Sequence, residues 1–92
     1  MEIRFSQRAA DRLVEIARYV YEKSGNPDKA DETMEALKGC IVRTLSTFPR
    51  LGRPAAEFGP GQRKLVCRGY TVVYRIEKEF IFVVTIFREN LP

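Results

Sequence analysis

No histidine occurs in this sequence, and cysteine occurs only twice, at Cys40 and Cys67. The first absence removes the commonest general base and metal ligand. Mechanisms that pair serine or cysteine with histidine are therefore excluded. Two cysteines far apart, with no CxxC, are too few soft ligands for a zinc site. Both stand in apolar runs and read as small, reduced core residues rather than as a disulfide or a nucleophile. No apolar run approaches the about 18 residues that a membrane span needs. The opening MEIRFSQRAADRL lacks the apolar segment of a signal peptide. The expectation is a cytoplasmic protein that does not engage membranes. No phosphate-cradling loop is present either, because Gly59, Pro60 and Gly61 read as a turn. No metal and no cofactor are expected.

What remains is enough for one domain spanning residues 1–92. The chain is 45% hydrophobic and 30% charged, ordinary values for a globular protein. At this length folding buries roughly 60–65% of the unfolded surface, which leaves no room for a deep substrate cavity. The charge is unevenly placed. Residues 1–46 carry 8 Lys/Arg and 8 Asp/Glu, whereas residues 47–92 carry 8 and 4, so the whole net charge of +4 falls in the second half. An unbalanced basic surface points to a polyanionic or acidic partner.

Glu2 to Phe5 reads as a short strand, and Ser6 stands where a helix N-cap belongs. From Ala9 or Ala10 the apolar residues Leu13, Ile16, Ala17, Val20 and Tyr21 fall at helical spacing. Gly25 stops that helix, and Asn26 with Pro27 starts the next. Asp28, Asp31 and Glu32 follow, in the first turn and just beyond, where the helix dipole favours negative charge. Ala30, Met34, Leu37, Ile41, Leu45 and Phe48 form its apolar stripe, and Pro49 ends it. Residues 49–61, with three Pro and three Gly, read as a loop. Three strands are predicted beyond it: Gln62 to Cys67, Tyr70 to Glu77 and Phe80 to Phe87. Gly69 turns the first pair, and Glu77, Lys78 and Glu79 turn the second. The last two strands are apolar on both faces and so are expected to be central and covered on both sides. The fold class is α+β in the order β-α-α-β-β-β, a helical hairpin on a mostly antiparallel sheet.

The carboxylates Glu57, Glu77, Glu79 and Glu89 are scattered over loops and turns and read first as solvated surface charge. The sharper candidates are basic: Arg53, Arg63, Lys64, Arg68, Arg75 and Arg88. Arg75 interrupts an apolar strand and needs a carboxylate, a phosphate or solvent at an edge. Pairing with a helix carboxylate would satisfy it. Arg63 and Arg88 stand at strand ends, either solvated or aimed at phosphate or an acidic peptide. Tyr70 and Tyr74 alternate with Val72, as half-buried core or as a platform for stacking bases.

The order of these features resembles the RelE/ParE toxin superfamily of bacterial toxin–antitoxin modules. The resemblance rests on the SQRAADRL helix start, the GNP turn, FPRLGRP after the second helix, R-K-L in the next strand and GYTVVYRI, and it covers essentially the whole chain. It implies a compact toxin neutralised by a cognate antitoxin, an acidic protein whose C-terminal segment wraps around it. It also implies one of two targets. RelE-like members cut messenger RNA on the ribosome; ParE-like members poison DNA gyrase without being nucleases. In a nuclease, Arg63 and Arg88 would match the basic cluster that stabilises phosphorane charge. The chain ends FRENLP, with Phe87 and no tyrosine or histidine beyond it, and a phenyl ring has no proton to transfer. That departure and the long paired helices favour the ParE-like reading, with no catalytic residue expected. A toxin fold retained only as a binding module is the third reading.

Overall fold

The computed structural model describes residues 1–88. Glu89, weighed above as a carboxylate, and the rest of the C-terminal segment lie outside them. Strand β1 (Glu2–Phe5) leads into helices α1 (Gln7–Ser24) and α2 (Pro27–Thr47). Strands β2 (Arg53–Pro54), β3 (Gln62–Cys67), β4 (Tyr70–Ile76) and β5 (Phe80–Arg88) follow, with a 3-10 turn at Ala56–Phe58. The expected order is present, with a short extra strand in the segment read as a loop.

The helix boundaries follow from local chemistry. Ser6 Oγ accepts the Ala9 N–H at 2.9 Å and donates to Val84 O at 2.6 Å. One hydroxyl therefore caps α1 and ties its start to β5. Gly25 ends α1 at φ 68°, its N–H donating to Tyr21 O, a conformation that glycine adopts without penalty. Asn26 Oδ1 accepts from Asp28 N and Lys29 N, with Pro27 opening α2. Each cap of this kind contributes about 1 kcal/mol.

The sheet runs β1-β5-β4-β3-β2. Among the described residues only the β1–β5 pair is parallel; the pairs β2–β3, β3–β4 and β4–β5 are antiparallel. Both helices pack on one face. Ala9, Leu13, Leu37, Ile41 and Leu45 meet Cys67, Val72, Tyr74, Ile81, Val83 and Ile86 there. Truncating a fully buried leucine such as Leu45 to alanine is expected to cost about 2–5 kcal/mol. The expectation that β4 and β5 are covered on both sides is met for the middle of β4 but only in part for β5, whose Phe80, Phe82 and Phe87 stay half-buried. No helix lies on the second face among the described residues. Instead the segment after β2 crosses it. Ala55 is fully buried, and the Phe58 ring sits 5.8 Å from the Phe87 ring. Thr71 and Val73 are buried as well.

Two apolar residues leave their predicted stripes. Phe48 is 60% exposed, because it caps α2 with non-helical φ and ψ instead of continuing its inward face. Tyr21 is 49% exposed.

The segment read as a loop is anchored through Tyr74. The fully buried Tyr74 donates its hydroxyl to Pro49 O at 2.7 Å and accepts the Gly52 N–H at 2.9 Å. A stacking platform is thereby excluded for Tyr74: its ring is core and its hydroxyl is a clamp. Gly52 is needed for space. A Cβ there would meet Tyr74 Oη at 2.5 Å and Lys64 O at 2.8 Å. Tyr74→Phe is expected to lower stability by about 1–3 kcal/mol, since the Gly52 N–H loses its partner in a buried site. Gly52→Ala is expected to cost at least as much, because one of the two colliding atoms is backbone. Denaturant titration of the two variants checks both.

Burial pushes Tyr74 upward, opposed by the Gly52 N–H and Arg63. Burial and the adjacent Cys40 push the Cys67 thiol up to about 12. Each group holds its proton in the folded state at a pH where the unfolded chain has lost it. Folding stability therefore falls as pH rises. Under reducing conditions the melting temperature is expected to hold up to about pH 9 and to fall between there and about 12. Cys67→Ala should fall less steeply over that range.

Candidate functional site

The basic residues singled out from the sequence do not converge on one point. Arg53 and Lys64 face each other in the β2–β3 register. Lys64 Nζ contacts Glu57 Oε2 at 2.8 Å and lies 5.9 Å from the Phe58 ring centroid. The hydrogen bond from Lys64 holds the Glu57 carboxyl below the usual carboxylate range, which makes it a poorer proton acceptor. Beside this group is a shallow depression of about 280 Å³, bordered by Leu51, Arg53, Lys64 and Val66 among others.

Arg63 is half-buried. Its Nη1 donates to Gly52 O at 2.7 Å, so Gly52 is held through its N–H by Tyr74 and through its carbonyl by Arg63. This guanidinium is partly committed to the arm that follows α2. Arg68 occupies the β3–β4 turn at φ 51°, followed by Gly69 at φ 86°. Two consecutive positive φ angles are those of a type I′ hairpin turn, and Arg68 is exposed there. Arg75 pairs with Glu77 in the following turn and stacks on Phe82 with its guanidinium carbon 4.7 Å from the centroid. The expected helix carboxylate is not its partner: the side chain leaves from the sheet face opposite the helices. Arg88 ends β5, exposed, 5.7 Å from the Tyr19 ring on α1.

Arg63 and Arg88 are far apart in the fold. Arg63 pairs with Tyr74 and Arg88 with Tyr70. Their backbone positions differ by four residues along β4 and by two strand spacings, roughly 13 Å and roughly 10 Å.

Three features escaped the sequence reading. The first is the row of cations over phenyl rings on the open sheet face: Arg75 on Phe82, Arg4 on Phe80 at 4.3 Å, and Lys64 on Phe58. Each of the three cations also contacts a carboxylate, Glu77, Glu2 and Glu57 in turn, so ring and anion hold it together. The alternation in β5 was the available signal for the phenyl rings. The second is a groove of about 220 Å³ between α1 and the end of β5, lined by Ile16, Tyr19, Tyr70, Ile86 and Arg88 among others. Tyr19, about half exposed on α1, forms part of its apolar wall. The third is the pair Phe48 and Leu51, exposed at 60% and 63% on either side of Pro49. Among the described residues no cluster of three or more metal-ligating side chains is found, and no helix is long and apolar enough to cross a membrane.

The described residues thus carry cations held at rings, an apolar groove and exposed aromatic side chains on separate parts of the surface. Residues 3–90 match the family model described as the ParE toxin of the type II toxin–antitoxin system parDE. The chain is 35% identical over 74 residues to Toxin ParE1 of Mycobacterium tuberculosis, covering 80% of this chain and 74% of that protein. The fold is similar to that in the chromosomal ParDE toxin–antitoxin system of P. aeruginosa, with a TM-score of 0.80, 22% identity, and 96% and 95% of the two chains covered. It is also similar to a chain of the RelBE2 toxin–antitoxin complex of Mycobacterium tuberculosis, with a TM-score of 0.62, 21% identity and 96% of each chain covered. The match over nearly the whole sequence, on a fold whose Gly52 and Tyr74 join the two most distinctive motifs, places this chain in the ParE family of type II toxins.

Proposed function

We propose that this toxin acts by binding, inhibiting DNA gyrase without catalysis of its own, and that an acidic cognate antitoxin neutralises it. The observation that carries the reading is the disposition of the arginines. Cleavage of RNA at a 2′-hydroxyl needs one group to take a proton, one to give a proton and a cation at the phosphate. Guanidinium serves only the last, because it stays protonated. Arg63 is engaged by Gly52 O, and Arg88 lies across the sheet from it. Glu57 is bound by Lys64, and Glu77 by Arg75. Sequence similarity to a protein named Toxin ParE1 supports the same branch.

The test is direct. Purified toxin added to gyrase and relaxed plasmid should block supercoiling and accumulate cleaved DNA, while programmed ribosomes treated in parallel keep their messenger intact. Codon-positioned cuts that disappear in Arg63→Ala would overturn the reading in favour of a ribosome-dependent endoribonuclease.

The antitoxin is expected to lay an apolar segment in the groove beside Tyr19 and to bring carboxylates to Arg53, Lys64 and Arg68. Exposed charges of this kind act mainly on the association rate and are screened by salt. Association should slow as ionic strength rises from about 0.05 to about 0.3 M. Arg53→Ala should weaken binding by about 0.2–1 kcal/mol, chiefly through that rate. Stopped-flow binding across a salt series measures both; a salt-independent rate contradicts the electrostatic part.

A further inference from the structure

Cys40 and Cys67 are 27 residues apart in sequence, yet their Sγ atoms lie 2.6 Å from each other. One is on α2 and the other ends β3. Both are free thiols. Cys67 is 2% exposed within the core, and Cys40 is half-buried against it. Thr44 and Arg43, from the next turn of α2, also act on Cys67. Two small apolar residues would fill this volume as well as two thiols do. Packing alone therefore does not call for sulfur on both sides of the helix–sheet contact. The separation exceeds a covalent S–S bond by about half an ångström, a gap within reach of side-chain rotation.

We propose that Cys40 and Cys67 form a redox site, closing to an intramolecular disulfide when the toxin meets a low-molecular-weight disulfide and reopening on reduction. The exchange starts at Cys40, the more accessible sulfur. Its thiolate attacks one sulfur of the small disulfide RSSR. The RS–SR bond breaks, a Cys40–S–S–R mixed disulfide forms, and the first thiolate leaves and takes up the proton that Cys40 released. Cys67 then loses its proton and attacks the Cys40 sulfur. The S–S bond between Cys40 and the SR group breaks, and RS⁻ leaves with the proton from Cys67 as the second RSH. In sum two protein thiols and RSSR become one protein disulfide and two RSH. The new bond staples α2 to β3 and closes the chain between them, which includes the arm at Gly52 and the basic residues Arg53 and Arg63. A cross-link that closes a loop of this length constrains the unfolded chain and raises the melting temperature, on the order of 10 °C for a domain of this size.

The experiment uses the full chain and glutathione disulfide. After incubation, the intact mass measured in denaturant should fall by two hydrogens, and peptide mapping should join the Cys40 and Cys67 peptides. The melting temperature should rise by about 10 °C and return on adding dithiothreitol. Cys40→Ser changes the half-buried member and should show neither the mass loss nor the rise. The mass and mapping results on the unaltered chain decide the question even if a variant folds poorly. The proposal is overturned if the native chain keeps both thiols, retains a glutathione on Cys40, links to a second chain, or closes internally with no change in melting.

Discussion

The contact between Tyr74 and Gly52 organises this protein. Tyr74 stands on the central strand of the sheet, fully buried, and its hydroxyl is the one polar group of its side chain. Burial of that hydroxyl is tolerable only because it both donates, to Pro49 O, and accepts, from Gly52 N–H. Low local dielectric strengthens such bonds and makes their loss costly. The chain after α2 is therefore fixed to the sheet at a point where a side chain at position 52 would collide with the tyrosine and with the β3 backbone. Arg63 completes the arrangement by donating to the Gly52 carbonyl.

From that anchor the basic surface follows. Once Gly52 is fixed, Arg53 and Pro54 pair with Lys64 and Arg63 as a short edge strand. The chain then crosses the open face of the sheet, where Phe58 meets Phe87 and Glu57 meets Lys64. Lys64, Arg75 and Arg88 of this half are each held at an aromatic ring, the first two also at a carboxylate. The described residues thus present ordered charge beside shallow grooves.

Much of the fold was legible in the sequence because its signals are local. Ser6, Gly25, Asn26 and Pro27 mark helix ends by their own hydrogen-bonding or backbone preferences, and the 3.6-residue spacing of Leu37, Ile41 and Leu45 declares a buried face. The three later strands announced themselves by apolar runs and a glycine turn. What stayed hidden depends on partners distant in sequence. A two-residue strand at Arg53–Pro54 has no periodicity to detect. Phe48 looked like the next stripe residue because a helix stop at Pro49 does not reveal that the residue before it is already the non-helical cap. Arg75 does pair with a carboxylate of the chain, but strand alternation sends it away from the helices to the other face, where Glu77 waits in the adjacent turn. The Cys40 and Cys67 sulfurs meet only because α2 crosses the end of β3. Of the candidate site, the residue types were readable and their grouping was not: Arg53 with Lys64 is a product of register, and the distance between Arg63 and Arg88 a product of strand order.

Native-state hydrogen exchange at the Gly52 amide tests the central constraint most directly. If Tyr74 fixes the arm as described, this amide exchanges only with global unfolding, with protection equal to that of Val72 and Val73 in the strand beneath. An amide at Gly52 that exchanges at the rate of an exposed loop, while those strand amides stay protected, would contradict the account.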